Sequence, residues 1–168
     1  MGRFLITGNA GTGKSTVINE LQRRGYNAFD GDELTGIHTF MDKITGALVD
    51  EPGPEGPARY TTIWQPKTFK SWLDENESVF VGGSVYNQTE FYPLFNKIIG
   101  LMLPPEVLDV RLKSRTNNPT GNDEKGRNYF VGINARVNTN LKLAGAIMID
   151  SSLPIAIVTD KILEISQS

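Results

Sequence analysis

At 168 residues the chain has the length of one domain, 1–168, and enough residues for a sizeable core; chains near 150 residues bury about 70% of their unfolded surface. Its 17 basic and 19 acidic residues leave a net charge of −2, which gives no strong nucleic-acid signal and no pull towards an anionic membrane. The absence of cysteine excludes a disulfide framework and thiolate chemistry, and no apolar run approaches membrane-spanning length.

The first predicted element is a strand over 3–7, from the apolar run Phe4-Leu5-Ile6. Gly8-Asn9-Ala10-Gly11-Thr12-Gly13-Lys14-Ser15 follows at once, a full match to the phosphate-binding pattern G-x-x-x-x-G-K-[ST]. So early a glycine loop leaves no room for a signal-peptide apolar region, and a cytoplasmic protein is expected. The pattern requires a buried strand, a tight turn and a departing helix. Backbone amides over 8–16, Thr16 included, then face the phosphates, and the helix N-terminus adds partial positive charge. Lys14 is expected at the β/γ-phosphates as a point charge, and the Ser15 hydroxyl on Mg²⁺. ATP and Mg²⁺ are the expected cofactors. A helix over 14–24 continues the motif: Val17, Ile18 and Leu21 share one face, Arg23 and Arg24 suit the last turn, and Gly25 stops it.

A second strand is predicted over 26–29, followed by Asp30-Gly31-Asp32. Ligands bind at the carboxyl ends of parallel strands, so these acids could take a hydroxyl proton or hold Mg²⁺ through water. A polar turn that caps the next segment is the alternative. Residues 33–76 form an insertion, irregular over 46–62 around Pro52-Gly53-Pro54-Glu55-Gly56-Pro57. A third strand over 78–82 ends in Val81-Gly82-Gly83-Ser84, and no acid occurs between Ser78 and Thr89. The Asp that holds Mg²⁺ in an ordinary P-loop ATPase is therefore missing. The metal falls to Ser15, the nucleotide, water and Asp30 or Asp32. The glycine pair either lets a substrate approach the backbone or merely ends the strand.

A fourth strand over 97–103 leads to a helix over 105–115, whose prolines and Glu106 suit a first turn. A polar loop over 116–127, a helix over 128–144, a strand over 145–149 and a helix over 154–165 complete the chain. The alternation predicts a three-layer α/β/α fold with a five-stranded parallel sheet covered on both faces. The 46–62 and 116–127 segments read as loops and lids over an active site; interdomain linkers are the alternative.

Arg111, Lys113, Arg115, Lys125, Arg127 and Arg136 make a local basic cluster in a nearly neutral chain. Guanidinium groups can stabilise a transferring phosphoryl group or stack on adenine; a solvated face or structural ion pairs are the alternative. Arg115 and Arg127 flank the polar loop and read as functional. His38, the single histidine, has no Ser or Cys partner pattern and reads as structural or exposed. Trp64 and Trp72 lie in an amphipathic stretch over 63–73 and read first as core, then as an acceptor-pocket wall.

The succession of phosphate loop, Phe29-Asp30-Gly31-Asp32, glycine pair and Arg115-Thr116-Asn117-Asn118 resembles the shikimate- and gluconate-kinase branch of the nucleoside/nucleotide kinase-like P-loop family. The phrases DGDE, KITGALVDEPG, RTNNPTG and IDSSLP are similar to a group of small bacterial P-loop proteins of unassigned substrate. The resemblance implies an acceptor contact and base at Asp32 and a water-mediated Mg²⁺ contact at Asp30. It implies adenine stacking by Arg115, a phosphate contact by the lid residue Arg127, and acceptor or phosphate binding by Arg136. It also implies adenine closure by Ser151, Ser152 and Pro154; substrate contact at Gly82 and Gly83 is the expectation from the glycine pair itself. The chain departs from shikimate kinases in three ways. Glu33 to Lys43 holds no arginine, Gly82-Gly83-Ser84 replaces three glycines, and the insertion is longer. These disfavour shikimate itself.

The expected activity is transfer of the ATP γ-phosphoryl group to a hydroxyl or phosphate on a small-molecule acceptor, by a monomer or homodimer. Two alternatives stand. A nucleoside monophosphate kinase needs arginines in the insertion, where only Arg59 is available. An ATP-binding sensor would bind nucleotide with little catalysis. GTPase chemistry is disfavoured because Asn96-Lys97-Ile98-Ile99 lacks the Asp of N-K-x-D, and an AAA+ mechanical ATPase by length and the missing acids.

Overall fold

A computed structural model describes residues 2–116 and 121–168. Residues 117–120, near the start of the expected lid and holding both asparagines of its opening motif, lie outside the described residues.

In chain order the elements are β1 (Arg3–Gly8), α1 (Lys14–Arg23), β2 (Ala28–Asp30), β3 (His38–Asp42), β4 (Leu48–Val49), β5 (Tyr60–Trp64), α2 (Pro66–Glu75) and β6 (Val79–Gly82). β7 (Lys97–Met102), α3 (Pro105–Lys113), α4 (Glu124–Leu143), β8 (Ile147–Asp150) and α5 (Ile155–Gln167) follow, with short 3-10 turns at Gly56–Ala58 and Gln88–Leu94. Five strands form the predicted parallel sheet in the order β2-β6-β1-β7-β8. The register places Ile6 beside Gly82, Asp30 beside Gly82, Gly8 beside Leu101 and Met102 beside Asp150. All five carboxyl ends therefore open on one edge, where the phosphate loop and the Asp30 turn emerge.

Alternation along the strands divides the core. Phe4, Ile6, Ile99, Leu101 and Ile149 face α1 and α5. Leu5, Val79 and Val81 face Trp64, Phe69 and Leu73 of β5 and α2. Gly100, on that second face of β7, lies towards Met148 and Leu141, which brings α4 against the sheet. A smaller cluster of Leu103, Leu108 and Leu112 joins α3 to Phe130 and Val131 of α4.

The strand predicted over 26–29 begins two residues later. Tyr26 N–H bonds the Leu21 carbonyl at 3.0 Å, across Gly25 at φ 85°, so the helix cap consumes these residues. The last strand is displaced likewise: Ala146 N–H bonds the Leu141 carbonyl at 3.0 Å. α4 begins at Glu124 rather than 128, because Asp123 accepts from Gly126 N–H at 3.4 Å as N-cap. Lys125 and Arg127, expected in a loop, are therefore helical.

The insertion departs most from expectation. Residues 38–64 carry a three-stranded antiparallel sheet in the order β4-β3-β5, and of the segment expected to be irregular only 48–49 and 60–62 lie in its strands. Its far end is fixed by buried Asp42, whose Oδ2 accepts from Arg59 Nη2 at 2.7 Å and Nε at 3.0 Å. Asp42 Oδ1 accepts from the Ile44 amide at 2.8 Å, and Arg59 Nη1 donates to Glu55 at 3.0 Å. The guanidinium first, then the Ile44 amide, hold the Asp42 carboxyl at about 2. The amphipathic stretch over 63–73 is divided between the end of β5, which Trp64 closes, and α2, which Pro66 starts. Trp64 is fully buried, and Trp72 packs edge-on against Phe29 with centroids 5.2 Å apart.

Candidate active site

β1 delivers the chain to the phosphate loop, and Gly13 at φ 96° turns it into α1. The first amides of α1 lack intrahelical partners and point out of the helix end. Lys14 folds back over the loop, with Nζ donating to the Gly8 and Asn9 carbonyls, both at 3.0 Å. Thr12 Oγ1 donates to the Asn9 carbonyl at 2.8 Å. The loop is also tied to α4. Buried Asn9 donates through Nδ2 to the Phe130 carbonyl at 2.8 Å and to Asn134 Oδ1 at 3.2 Å. Asn134 Nδ2 in turn donates to the Leu103 carbonyl beyond β7 at 3.0 Å. Nothing in the sequence pattern singles out Asn134.

The two acids after β2 differ. Asp30 is fully engaged: Oδ2 accepts from Ser15 Oγ at 2.5 Å and Oδ1 from the Asp32 amide at 3.1 Å. Among the described residues, no side chain bonds the Asp32 carboxylate. Asp32 is exposed towards the cleft, yet the protein packed around its carboxyl disfavours the charged form and pushes it up. Lys14 opposes that shift, Asp30 adds to it, and His38 opposes it.

Burial lowers the Lys14 ammonium to about 8; Asp32 opposes this, Arg115 adds to it, and Asp30 opposes it. Below that pH the free amine is charged and ready for phosphate; above it, binding must first take up a proton. Bound phosphate raises the amine's proton affinity. ATP affinity is therefore expected to weaken by up to about tenfold per pH unit as the pH rises from about 8 to about 9. Titration with a fluorescent ATP analogue checks this, and an affinity independent of pH there would contradict it.

Arg111 and Arg115 both face the cleft. Arg111 Nη2 donates to the Ser151 carbonyl at 2.8 Å, and its guanidinium is the neighbour of Gly13. Burial lowers Arg115, and Asp30 and Asp32 oppose this, which places its charge within electrostatic reach of both acids and of Lys14. Arg136 and Lys125 also line the cleft.

Other expected site residues are placed differently. Arg127 bonds the Asn122 carbonyl and pairs with Asp109 at 3.7 Å, outside the cleft lining. Ser152 closes a turn on Asp150 Oδ1 through Oγ at 2.6 Å and N–H at 2.8 Å, and Pro154 caps α5; Ser151, Leu153 and Ile155 face the cleft instead. Gly82 and Gly83 do not line it either. A Cβ on Gly82 would lie 2.6 Å from Ile18, and one on Gly83 2.3 Å from the Trp64 ring. This pair makes room for packing, a role that neither sequence reading gave it.

Beyond Asp32 the cleft runs between the insertion sheet and α4, with His38, Phe40, Tyr60 and Thr62 on one wall and Tyr129 and Arg136 on the other. Lys43 reaches across, its Nζ 6.0 Å from the Tyr129 ring centroid. His38 sits edge-on to Phe40 with centroids 5.1 Å apart. Phe40, Tyr60 and Tyr129 escaped the sequence reading; the alternation in HTFMD and YTTIW is the signal that could have found the first two.

The family described as an AAA domain matches residues 5–129. No curated protein matches the chain in sequence. Solved structures share its fold from end to end. A shikimate kinase from Bacteroides thetaiotaomicron superposes with a TM-score of 0.65 at 18% identity, over 99% of this chain and 98% of that one. A deoxyadenosine kinase from M. mycoides with bound dATP gives 0.56 at 16%, over 99% and 100%. A sugar kinase from Janibacter sp. gives 0.57 at 16%, over 96% and 92%. At these identities the likeness establishes the fold, that of the nucleotide kinase-like P-loop proteins.

Proposed function

We propose that this chain, which belongs to the AAA domain family, is an ATP-dependent kinase that phosphorylates a hydroxyl group on a small molecule in the cytoplasm. The observation that carries this reading is the carboxylate of Asp32 at the carboxyl edge of the sheet, which no side chain among the described residues bonds and which lies within electrostatic reach of Lys14 of the phosphate loop. Phosphoryl transfer needs little more than positioning and charge stabilisation. The kinase names of the solved relatives with this fold add support, and so does the strand end Val81-Gly82-Gly83-Ser84, which lacks the acid of a mechanical ATPase.

In this reading the α1 amides and Lys14 hold the β/γ-phosphates. The Ser15 hydroxyl and Asp30 carboxylate, 2.5 Å apart, are hard oxygen donors that suit Mg²⁺, with Asp30 acting through water. Among the described residues no group of three His, Cys, Asp or Glu side chains could hold a metal alone, so phosphate and water complete the shell. The ion, when bound, neutralises charge on the phosphates. Asp32 takes the acceptor's proton. Arg115 supplies positive charge along the phosphate track, a reading supported by its coupling to Lys14, Asp30 and Asp32. Arg111, bonded to the Ser151 carbonyl beside Gly13, serves the nucleotide side. Arg136 stands on the acceptor side.

Arg59 disfavours a nucleoside monophosphate kinase: the one arginine of the insertion is committed to Asp42 and Glu55. The test is ADP release from Mg·ATP with and without added alcohols, sugar acids and nucleotides. ADP formed in proportion to an acceptor is the expected result. Tight ATP binding with no acceptor-stimulated turnover would favour the sensor instead.

A further inference from the structure

Resting on the kinase reading, we propose that the acceptor is an uncharged alcohol carrying a flat ring, of the nucleoside type, rather than a sugar acid or a nucleotide. The inward face of the insertion sheet carries the first observation. Antiparallel pairing sets His38 beside Trp64, Phe40 beside Thr62 and Asp42 beside Tyr60. Trp64 is buried at one end of this face and Asp42 at the other. Phe40 and Thr62 between them, and Tyr60 beside Asp42, line the cleft, as does Tyr129 of α4. Aromatic rings from both the insertion sheet and α4 thus line this part of the cleft, a slot whose rings can hold a planar group by offset or edge-on stacking.

Charge is the second, independent observation. At the end nearest the phosphate loop the slot is bounded by Asp32 and Glu33, which repel a carboxylate or phosphate brought to the same place. At the far end, the Arg59 guanidinium is occupied by Asp42 and Glu55. Lys43 donates to the Pro57 carbonyl at 2.7 Å and lies over Tyr129. Arg136 on α4 is exposed and single. An anionic acceptor calls for guanidinium groups where it meets Asp32 and Glu33; among the described residues of the slot the one uncommitted guanidinium is that of Arg136, out on exposed α4. The slot offers instead small neutral groups, Thr62, Ser84 and Asn140, suited to the polar edge of a ring or to its hydroxyls.

In the transfer, the acceptor hydroxyl oxygen bonds the γ-phosphorus as the bond from that phosphorus to the β–γ bridging oxygen breaks. The bridging oxygen leaves with the electron pair on ADP, and the hydroxyl proton passes to the Asp32 carboxylate.

The test uses the full chain with Mg·ATP. Adenosine, guanosine, cytidine and uridine serve as neutral acceptors; shikimate, gluconate, AMP and CMP serve as anionic ones. ADP release and the phosphorylated product are measured. At least one nucleoside is expected to be phosphorylated in proportion to ADP formed, with the anionic compounds inert. Tyr129→Ala and Phe40→Ala should raise KM for that nucleoside by about tenfold, while KM for ATP stays within about twofold and Tyr129→Phe restores the wild-type value. Tyr129 is exposed, so its variants keep the fold even if Phe40→Ala does not. Phosphorylation of shikimate, gluconate or a monophosphate overturns this inference and leaves the kinase reading standing. An unchanged nucleoside KM in Tyr129→Ala also overturns the inference alone. No turnover with any of the eight compounds overturns both.

Discussion

Replacing Lys14 with alanine is expected to lower acceptor-dependent ADP release by at least about 10²–10³-fold, the usual cost of removing a preorganised group that meets charge developing in the transition state. The loop should survive the change. Its shape is held by the Thr12 bond to the Asn9 carbonyl and by the buried Asn9–Asn134 pair, while Lys14 lies across the mouth, its bonds among the described residues going to the Gly8 and Asn9 carbonyls. Circular dichroism and thermal melting should therefore match wild type while turnover collapses. Because the ammonium is partly desolvated, with its proton affinity brought down to about 8, it meets phosphate with less water to displace than a surface lysine would. Turnover retained in Lys14→Ala would remove the basis for a P-loop kinase.

Asp32→Asn is expected to cost about 10²–10⁴-fold in kcat, the range for losing a positioned general base, with ATP affinity nearly unchanged. The contrast with Asp30 sharpens the test. Both Asp30 oxygens are occupied, by Ser15 and by the Asp32 amide, so Asp30→Asn should act on metal dependence and be relieved in part by added Mg²⁺. Asp32→Asn should not be relieved. The pH profile carries the same distinction. The Asp32 carboxyl is pushed up, mainly by desolvation, so wild-type kcat/KM should rise with pH as it ionises and fall again as Lys14 loses its proton. In Asp32→Asn the rising limb should disappear. A full rising limb in that variant would assign the base elsewhere.

The parts legible in the sequence are those fixed by local rules. A strand, a glycine turn and a helix N-terminus carry the phosphate site within 3–16, and each step has its own short-range signal. The apolar runs Val79-Phe80-Val81 and Ile98 to Leu103 announce buried strands, and alternation with helices is enough for the parallel sheet. The insertion resisted because short antiparallel strands owe their stability to partners across the sheet. Asp42 and Arg59 are 17 positions apart, and neither neighbourhood advertises the other. The α4 start was hidden in a polar run in which Asp123 looks like any other loop acid until its bond to the Gly126 amide is seen. Arg127 was read from its place beside the expected lid; once that segment is helical, the side chain turns to Asp109 and the Asn122 carbonyl. Gly82 and Gly83 drew attention as a possible backbone approach for substrate, whereas the space they leave is filled by Ile18 and the Trp64 ring.

Trp64 belongs to the insertion, yet its indole is wedged against the turn that carries both acids. Nε1 donates to the Gly31 carbonyl at 3.2 Å, and a Cβ on Gly31 would lie 2.5 Å from the ring. The segment that shapes the acceptor slot thus also sets the height of Asp30 and Asp32 above the sheet. If the kinase reading holds, specificity and base placement are one mechanical unit. Insertions exchanged between kinases of this fold to alter acceptor choice would re-aim the acids as well, unless the graft brings an equivalent of Trp64 together with the two glycines that receive it. Such chimaeras are best cut outside the pair, before β2 and after Gly83, so that the wedge and its seat travel together.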